Sequence, residues 1–264
     1  MKGKLILILL VLDIVFMSIM GCGHKVNRAA LDADAYFAYA KKLYDRGKYF
    51  EASTEFSIIV LKFSGNPVVD DAQFYLGESH FMNHEYLIAM SEYQKLVDDY
   101  PESPYVEEAL YKIGLSAYKL SQRPELDQEY TQLALRHFQG FIEAYPKSGL
   151  KKEAEKRIFE LRSRLAQKQL LGAEVYRKMG VYDSAIIYYD ILLEKYYDTP
   201  PAEEALFRKG ECLMKLKKYD EALTNFSAFI SKYPESKYVG DAKDYIGEIQ
   251  TMVNKDVGDG QEKK

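Results

Sequence analysis

The chain has 264 residues, 36 basic against 40 acidic side chains, and a formal net charge of −4. That balance argues against nucleic acid as a partner, because phosphate binding needs a positive surface that displaces counterions. With 47% apolar residues, the chain is long enough to bury a sizeable core.

At the N-terminus, Lys2 and Lys4 precede an apolar run from Leu5 to Met20 that is broken by Asp13. The run is shorter than the roughly 20 residues of a membrane span and reads as a signal-peptide core, residues 1–21. It ends in Ile19-Met20-Gly21-Cys22, which resembles a bacterial lipobox, whose Cys takes a diacylglyceryl group before cleavage. Cys22 is therefore the expected lipid attachment point and 22–33 a lipidated tether. Gly23 follows the Cys, where the sorting rule of such lipoproteins permits export to the outer membrane. The second Cys, Cys212, lies within a helical pattern, has no partner once Cys22 is lipidated, and reads as a small buried residue.

From residue 34 onward the chain repeats. Four turns read Gly47-Lys48-Tyr49-Phe50-Glu51-Ala52, His84-Glu85-Tyr86-Leu87-Ile88-Ala89, Gly180-Val181-Tyr182-Asp183-Ser184-Ala185 and Lys217-Lys218-Tyr219-Asp220-Glu221-Ala222; a fifth key alanine is Ala134. An aromatic follows each alanine by four: Phe56, Tyr93, Phe138, Tyr189 and Phe226. Residues i and i+4 share a helical face, so the small alanine admits a neighbouring helix and the ring fills the space beside it. Tyr-Pro-x-Ser closes repeats at Tyr100, Tyr145 and Tyr233, and Tyr197-Asp198-Thr199-Pro200 closes another. There Pro stops one helix, and Ser or Thr is expected to cap the next.

The alanine spacing is 37 within the first and last pairs, but 45 and 51 across the middle of the chain. The first excess falls in the polar stretch Ser121–Thr131. The second reads as one long helix, or two nearly continuous ones, over Leu150–Lys178. These features resemble the tetratricopeptide repeat, best at Leu76-Gly77, Ala89, Tyr93 and Pro101. The expected fold is all-α, a right-handed solenoid of five helical hairpins. Repeats one to three occupy 34–149, the linking helix and repeats four and five occupy 150–250, and a disordered tail covers 251–264.

Aligning the repeats on their alanines places Phe37, Phe74, Tyr111 and Phe207 at one inner-helix position, with Tyr44, Phe81, Tyr118 and Met214 two turns later. Leu170 and Arg177 interrupt the series in the fourth repeat, so a peptide-binding groove is expected over the first three, on Phe37, Tyr44, Phe74, Phe81, Tyr111 and Tyr118. His80 and His84 stand four apart, yet no third ligand is near, and they read as turn residues rather than a metal site. Asp70-Asp71 and Asp98-Asp99 suit helix ends. No catalytic triad, phosphate-cradling Gly loop or dinucleotide fingerprint is present, so neither enzymatic activity nor a cofactor is expected.

The lipobox, the five repeats, the longer third turn and the run Leu161-Arg162-Ser163-Arg164-Leu165-Ala166 together resemble the BamD family of outer-membrane β-barrel assembly lipoproteins. The likeness extends from Leu126-Asp127-Gln128 through Phe138, Phe141 and Tyr145-Pro146 to Tyr176, Gly180-Val181-Tyr182, Ala185 and Asp198-Thr199-Pro200, and covers about Asp34 to Gln250. It implies a scaffold on the periplasmic face of the outer membrane. Its implied partners are the periplasmic domains of a barrel-forming protein and unfolded outer-membrane proteins, with Arg162 and Arg164 as candidate partner contacts. The competing reading is another envelope repeat lipoprotein, such as a pilus or secretin pilot or a division adaptor.

Overall fold

The computed structural model describes residues 27–261, and their side chains as far as 252. The signal peptide, Cys22 and the start of the tether lie outside the described residues. A 3-10 turn at Arg28–Ala30 leads into α1 (Ala33–Asp45) and α2 (Tyr49–Lys62). Then follow α3 (Val68–Met82) and α4 (Tyr86–Asp99), and α5 (Val106–Leu120) and α6 (Glu129–Ala144). The fourth pair is α7 (Lys151–Lys178) and α8 (Tyr182–Lys195), the fifth α9 (Pro201–Lys215) and α10 (Tyr219–Lys232), and α11 (Val239–Gln261) ends the array. No strand occurs among the described residues. Each helix packs mainly on its sequence neighbours, giving an α-solenoid of five tetratricopeptide-like hairpins.

The repeated turn has one backbone solution used four times. Gly47, His84, Gly180 and Lys217 all take positive φ, between 59° and 76°. The residue after each donates its backbone N–H to a carbonyl five positions back: Lys48 to Leu43, Glu85 to His80, Val181 to Tyr176 and Lys218 to Leu213, at 2.9–3.0 Å. This is the Schellman closure of a helix C-terminus, which needs a left-handed residue and therefore favours glycine.

All five key alanines and their five aromatic partners are fully buried. Glycines on the facing inner helices bring the backbones closer still. A Cβ at Gly77 would meet the Tyr93 ring at 2.7 Å, and one at Gly114 the Phe138 ring at 3.0 Å. Full burial of each such ring contributes about 1.5–3 kcal/mol.

The closing serines begin a turn rather than cap the helix. Ser103, Ser148 and Ser236 each accept the N–H two residues on, and the residue at the cap makes no side-chain cap bond. Two of them also tie adjacent repeats together, Ser148 donating to Glu107 and Ser236 to Glu203.

The middle of the chain departs from the regular spacing because α7 serves two cores. Its 28 residues extend about 42 Å. Ala154 and Leu161 pack with Tyr111 and Phe138 of the third hairpin, whereas Ala166, Leu170 and Ala173 pack with Tyr189 and Leu192 of the fourth. At the C-terminus, the tail expected to be disordered from 251 is helical through Gln261, and 262–264 are outside the described residues. Once α11 is nucleated and docked through Ala242 and Ile249, each further residue adds one helical hydrogen bond without a new nucleus.

Cys212 sits in the core beside Ala173 and Tyr189, and burial pushes its thiol up to about 12. The thiolate is the reactive form, so Cys212 is expected to resist a thiol reagent in the native chain and to react fully once denaturant is added. Rapid reaction of the native protein, followed by absorbance, would contradict this burial.

Candidate protein-binding face

Inner helices meet along a seam with a repeating rule. The residue after the ladder position on one inner helix reaches the residue four beyond it on the preceding inner helix. Lys41 Nζ lies 4.9 Å from the centre of the Tyr75 ring. Lys112 Nζ lies 2.6 Å from a Glu78 carboxylate oxygen, and Tyr245 donates to Glu211 at 3.4 Å. A different link joins the third hairpin to α7, where the Tyr118 hydroxyl donates to Glu160 at 2.7 Å.

Glu78 is the most enclosed member of this seam. Its carboxylate accepts hydroxyls from Tyr44, on the first hairpin, and Tyr93, on its own, while Lys112 approaches from the third. Three hairpins are thus joined at one buried anion. Burial and the neighbouring carboxylate both push the Tyr44 and Tyr93 hydroxyls well above the usual tyrosine range, which keeps them protonated as donors. The fourth hairpin repeats the design: Glu174 accepts from Tyr189 and Arg177. Burial raises the Glu174 carboxyl, but hydrogen bonds from Arg177 and Tyr189 outweigh it and leave it below the ordinary value.

The six ladder aromatics separate into two groups. Phe74 and Tyr111 are only 4% and 6% exposed and belong to the core. Tyr105 stacks on Phe74 at 4.4 Å, and Tyr111 packs on Phe138 and Phe141, both at 5.6 Å. These two rings do not form an open ladder, and aspartate at either is expected to unfold the chain rather than test a groove. Phe37, Tyr44, Phe81 and Tyr118 are half-buried. Phe37 packs against Phe56 and Tyr75, Tyr44 against Tyr49 and Tyr75, and Phe81 against Tyr86, with the Lys112 ammonium 5.2 Å from its centroid. Arg157 and Arg164 approach Tyr118 at 4.8 and 5.7 Å. The partly open inner surface of the first three hairpins is therefore aromatic and lined by cations, of which Lys41, Lys112 and Arg157 are paired with carboxylates.

Arg162 and Arg164 both have partners within the chain. Arg162 donates to the Lys195 carbonyl and the Asp198 carboxylate, holding that carboxyl below the usual range. Arg164 donates to the hydroxyl and carbonyl of Ser121, while Lys168 donates to the Leu126 carbonyl at 2.8 Å. Gln128 donates to the carbonyls of Arg123, Leu126 and Asp127, at 2.9–3.1 Å. The inserted third turn is thus pinned to α7. Substituting Ala for Arg164 is expected to speed proteolytic nicking within 121–128 severalfold while leaving the global melting temperature nearly unchanged. An unchanged digestion rate by mass spectrometry would contradict the pinning. His80 engages Glu85 at 2.6 Å and His84 engages Tyr86 at 2.8 Å.

The family model YfiO, described as an outer membrane lipoprotein, matches residues 29–217. The chain belongs to this family. Its YfiO membership gives the outer membrane as its location. A tetratricopeptide-repeat model also matches residues 204–236. The outer membrane protein assembly factor BamD of Rickettsia prowazekii is 27% identical over 237 residues, covering 89% of this chain and 93% of that one. BamD of Vibrio cholerae is 30% identical over 94 residues, covering 36% of this chain and 39% of the relative. Among solved structures, the TPR2AB domain–pHSP90 complex of yeast Sti1 aligns with a TM-score of 0.43 at 17% identity, covering 84% of each chain.

Proposed function

We propose that the chain is a lipid-anchored, non-enzymatic scaffold subunit of the outer-membrane β-barrel assembly machine. In this reading it holds the periplasmic domains of a barrel-forming partner and receives unfolded outer-membrane proteins. The observation that carries it is the YfiO match over residues 29–217 on a solenoid whose inner surface keeps Tyr44, Phe81 and Tyr118 partly open beside Lys41, Lys112 and Arg157. Aromatic rings flanked by cations suit the alternating aromatic side chains and terminal carboxylate of a barrel strand in extended form. The partner's periplasmic domains are assigned to the remaining surface, where Arg162 and Arg164 stabilise the solenoid rather than stand free.

The test is detergent extraction of the lipidated chain from its own envelope, followed by identification of co-purifying proteins. Recovery of a large barrel protein with periplasmic domains, together with loss of many outer-membrane proteins on depletion, supports the proposal. Recovery of a single secretin or pilus component, with the general outer-membrane profile intact, would replace it with a pilot lipoprotein.

A further inference from the structure

The outer helices of the five hairpins are not alike on their solvent side. Two residues before each key alanine stand Phe50 and Leu87 in the first two hairpins, but Gln132, Asp183 and Asp220 in the others. Nine residues after it stand Leu61, then Asp98, Glu143, Glu194 and Ser231. Phe50 is 66% exposed, Leu61 79%, Leu87 55% and Ile88 45%. Phe50 and Leu61 are eleven apart and so lie on one face of α2, about 16 Å from each other. Arg46, Lys48, Lys62 and Lys95 are exposed around them, with Lys48 paired to Glu51 and Lys95 to Glu92. Of the equivalent positions in the fourth and fifth hairpins, Asp183, Glu194 and Asp220 are acidic and Ser231 is polar, and the exposed apolar side chains of the fourth hairpin, Val175, Met179, Val181 and Ile187, lie at other positions.

The tether reaches the helix that carries Phe50 and Leu61, on a neighbouring side of it. Arg28 is paired with Glu55, on α2 between Phe50 and Leu61. Cys22 precedes Arg28 by six residues, so a lipid on Cys22 holds the Arg28 backbone within about 21 Å of the bilayer, and α2 one Arg–Glu side-chain pair beyond it. We propose that the outer face of the first two hairpins, through Phe50, Leu61, Leu87 and Ile88, rests on the lipid surface into which Cys22 is anchored. This rests on the lipid-anchor part of the proposed function. Four side chains fall far short of the roughly 20–30 residues per side of a stable protein interface. Beside a surface to which the chain is already tied, the same side chains suffice, because the tether makes their insertion intramolecular. Interfacial apolar residues enter about 5–10 Å into the headgroup boundary, with cations at the rim. One contact of this kind would fix the orientation of the solenoid, presenting its inner face away from the membrane.

The test places an environment-sensitive thiol fluorophore on Phe50→Cys, on Leu87→Cys and, as the equivalent position of the fourth hairpin, on Asp183→Cys. Buried Cys212 is left unlabelled by treating the native chain. Lipidated full-length proteins are reconstituted on phosphatidylethanolamine–phosphatidylglycerol vesicles, and flotation reports anchoring. The expected result is a blue shift and about twofold quenching by nitroxide-bearing lipid at positions 50 and 87, with neither at 183. Flotation with all three probes behaving alike would overturn the contact while leaving the anchor intact. A blue shift at 50 and 87 that needs no vesicles and grows with protein concentration would assign the patch to a second copy and overturn it too. Failure to float would remove the anchor itself, and the inference with it.

Discussion

Replacing Gly210 by alanine is expected to destabilise the chain by about 2–3 kcal/mol, although the same change in an open helix stabilises it. A Cβ there would lie 2.5 and 2.7 Å from Cε1 and Cζ of Phe226 and 2.9 Å from Nδ2 of Asn225. Neither neighbour can yield cheaply. Phe226 is fully buried and stacked on Tyr245 at 5.0 Å, and Asn225 donates to the Leu206 carbonyl at 2.7 Å. For a chain of this size the expected fall in melting temperature is about 4–10 °C. Gly140 is also helical but has nothing within 4 Å of its would-be Cβ, so Gly140→Ala should raise the melting temperature by about 2–4 °C. Scanning calorimetry of both variants decides. A rise for Gly210→Ala as well as for Gly140→Ala would show that inner and outer helices do not approach as closely as described.

Glu78→Ala should cost about 3 kcal/mol, because it strands Lys112 and leaves the Tyr93 hydroxyl without its acceptor. The pair is enclosed, with the Glu78 side chain 10% and the Lys112 side chain 17% exposed, so water replaces the lost partner poorly. Removing both charges is a different matter. Glu78→Leu combined with Lys112→Met should recover the part of the loss that comes from the stranded Lys112, since an apolar pair can replace a buried ion pair at little net cost, while the Tyr93 hydroxyl stays without its acceptor. Urea unfolding of Glu78→Leu, Lys112→Met and the double variant forms the cycle. Additive losses would mean that the two side chains act independently and that the seam does not couple the first three hairpins.

The features legible in the sequence are those set by local chemistry. Ala52 with Phe56, or Ala185 with Tyr189, needs only helical periodicity to be read as a buried face. Gly47 and Gly180 advertise a left-handed turn residue, and once the repeat is aligned, His84 and Lys217 inherit that role despite their side chains. The seam was harder to read because it depends on how one hairpin registers on the next. Glu78 and Glu174 look like ordinary surface charges on an inner helix. The available hint was that each precedes a tyrosine, Tyr93 or Tyr189, by fifteen residues, a spacing that lets helix and return helix meet across a turn. Phe74 and Tyr111 were placed on an open ladder because the stripe containing them is periodic. The structure covers Phe74 with Tyr105, which belongs to the start of the next hairpin and has no counterpart in a single-helix pattern. Arg162 and Arg164 stood out as a motif, but their partners lie 33 to 43 residues away, beyond any local rule.

The central claim is that extended polypeptide is received on the inner surface of the first three hairpins. The most direct measurement is the affinity of a peptide from the C-terminus of an outer-membrane barrel protein for three folded chains. These are the wild type, Phe81→Ala with Tyr118→Ala on the inner face, and Phe50→Ala with Leu87→Ala on the outer face. Binding is expected to be at least about tenfold weaker for the inner-face variant, a loss of roughly 1.4 kcal/mol, and unchanged for the outer-face variant. Unaltered affinity in an inner-face variant that keeps its helical content and melts near the wild type would contradict the claim.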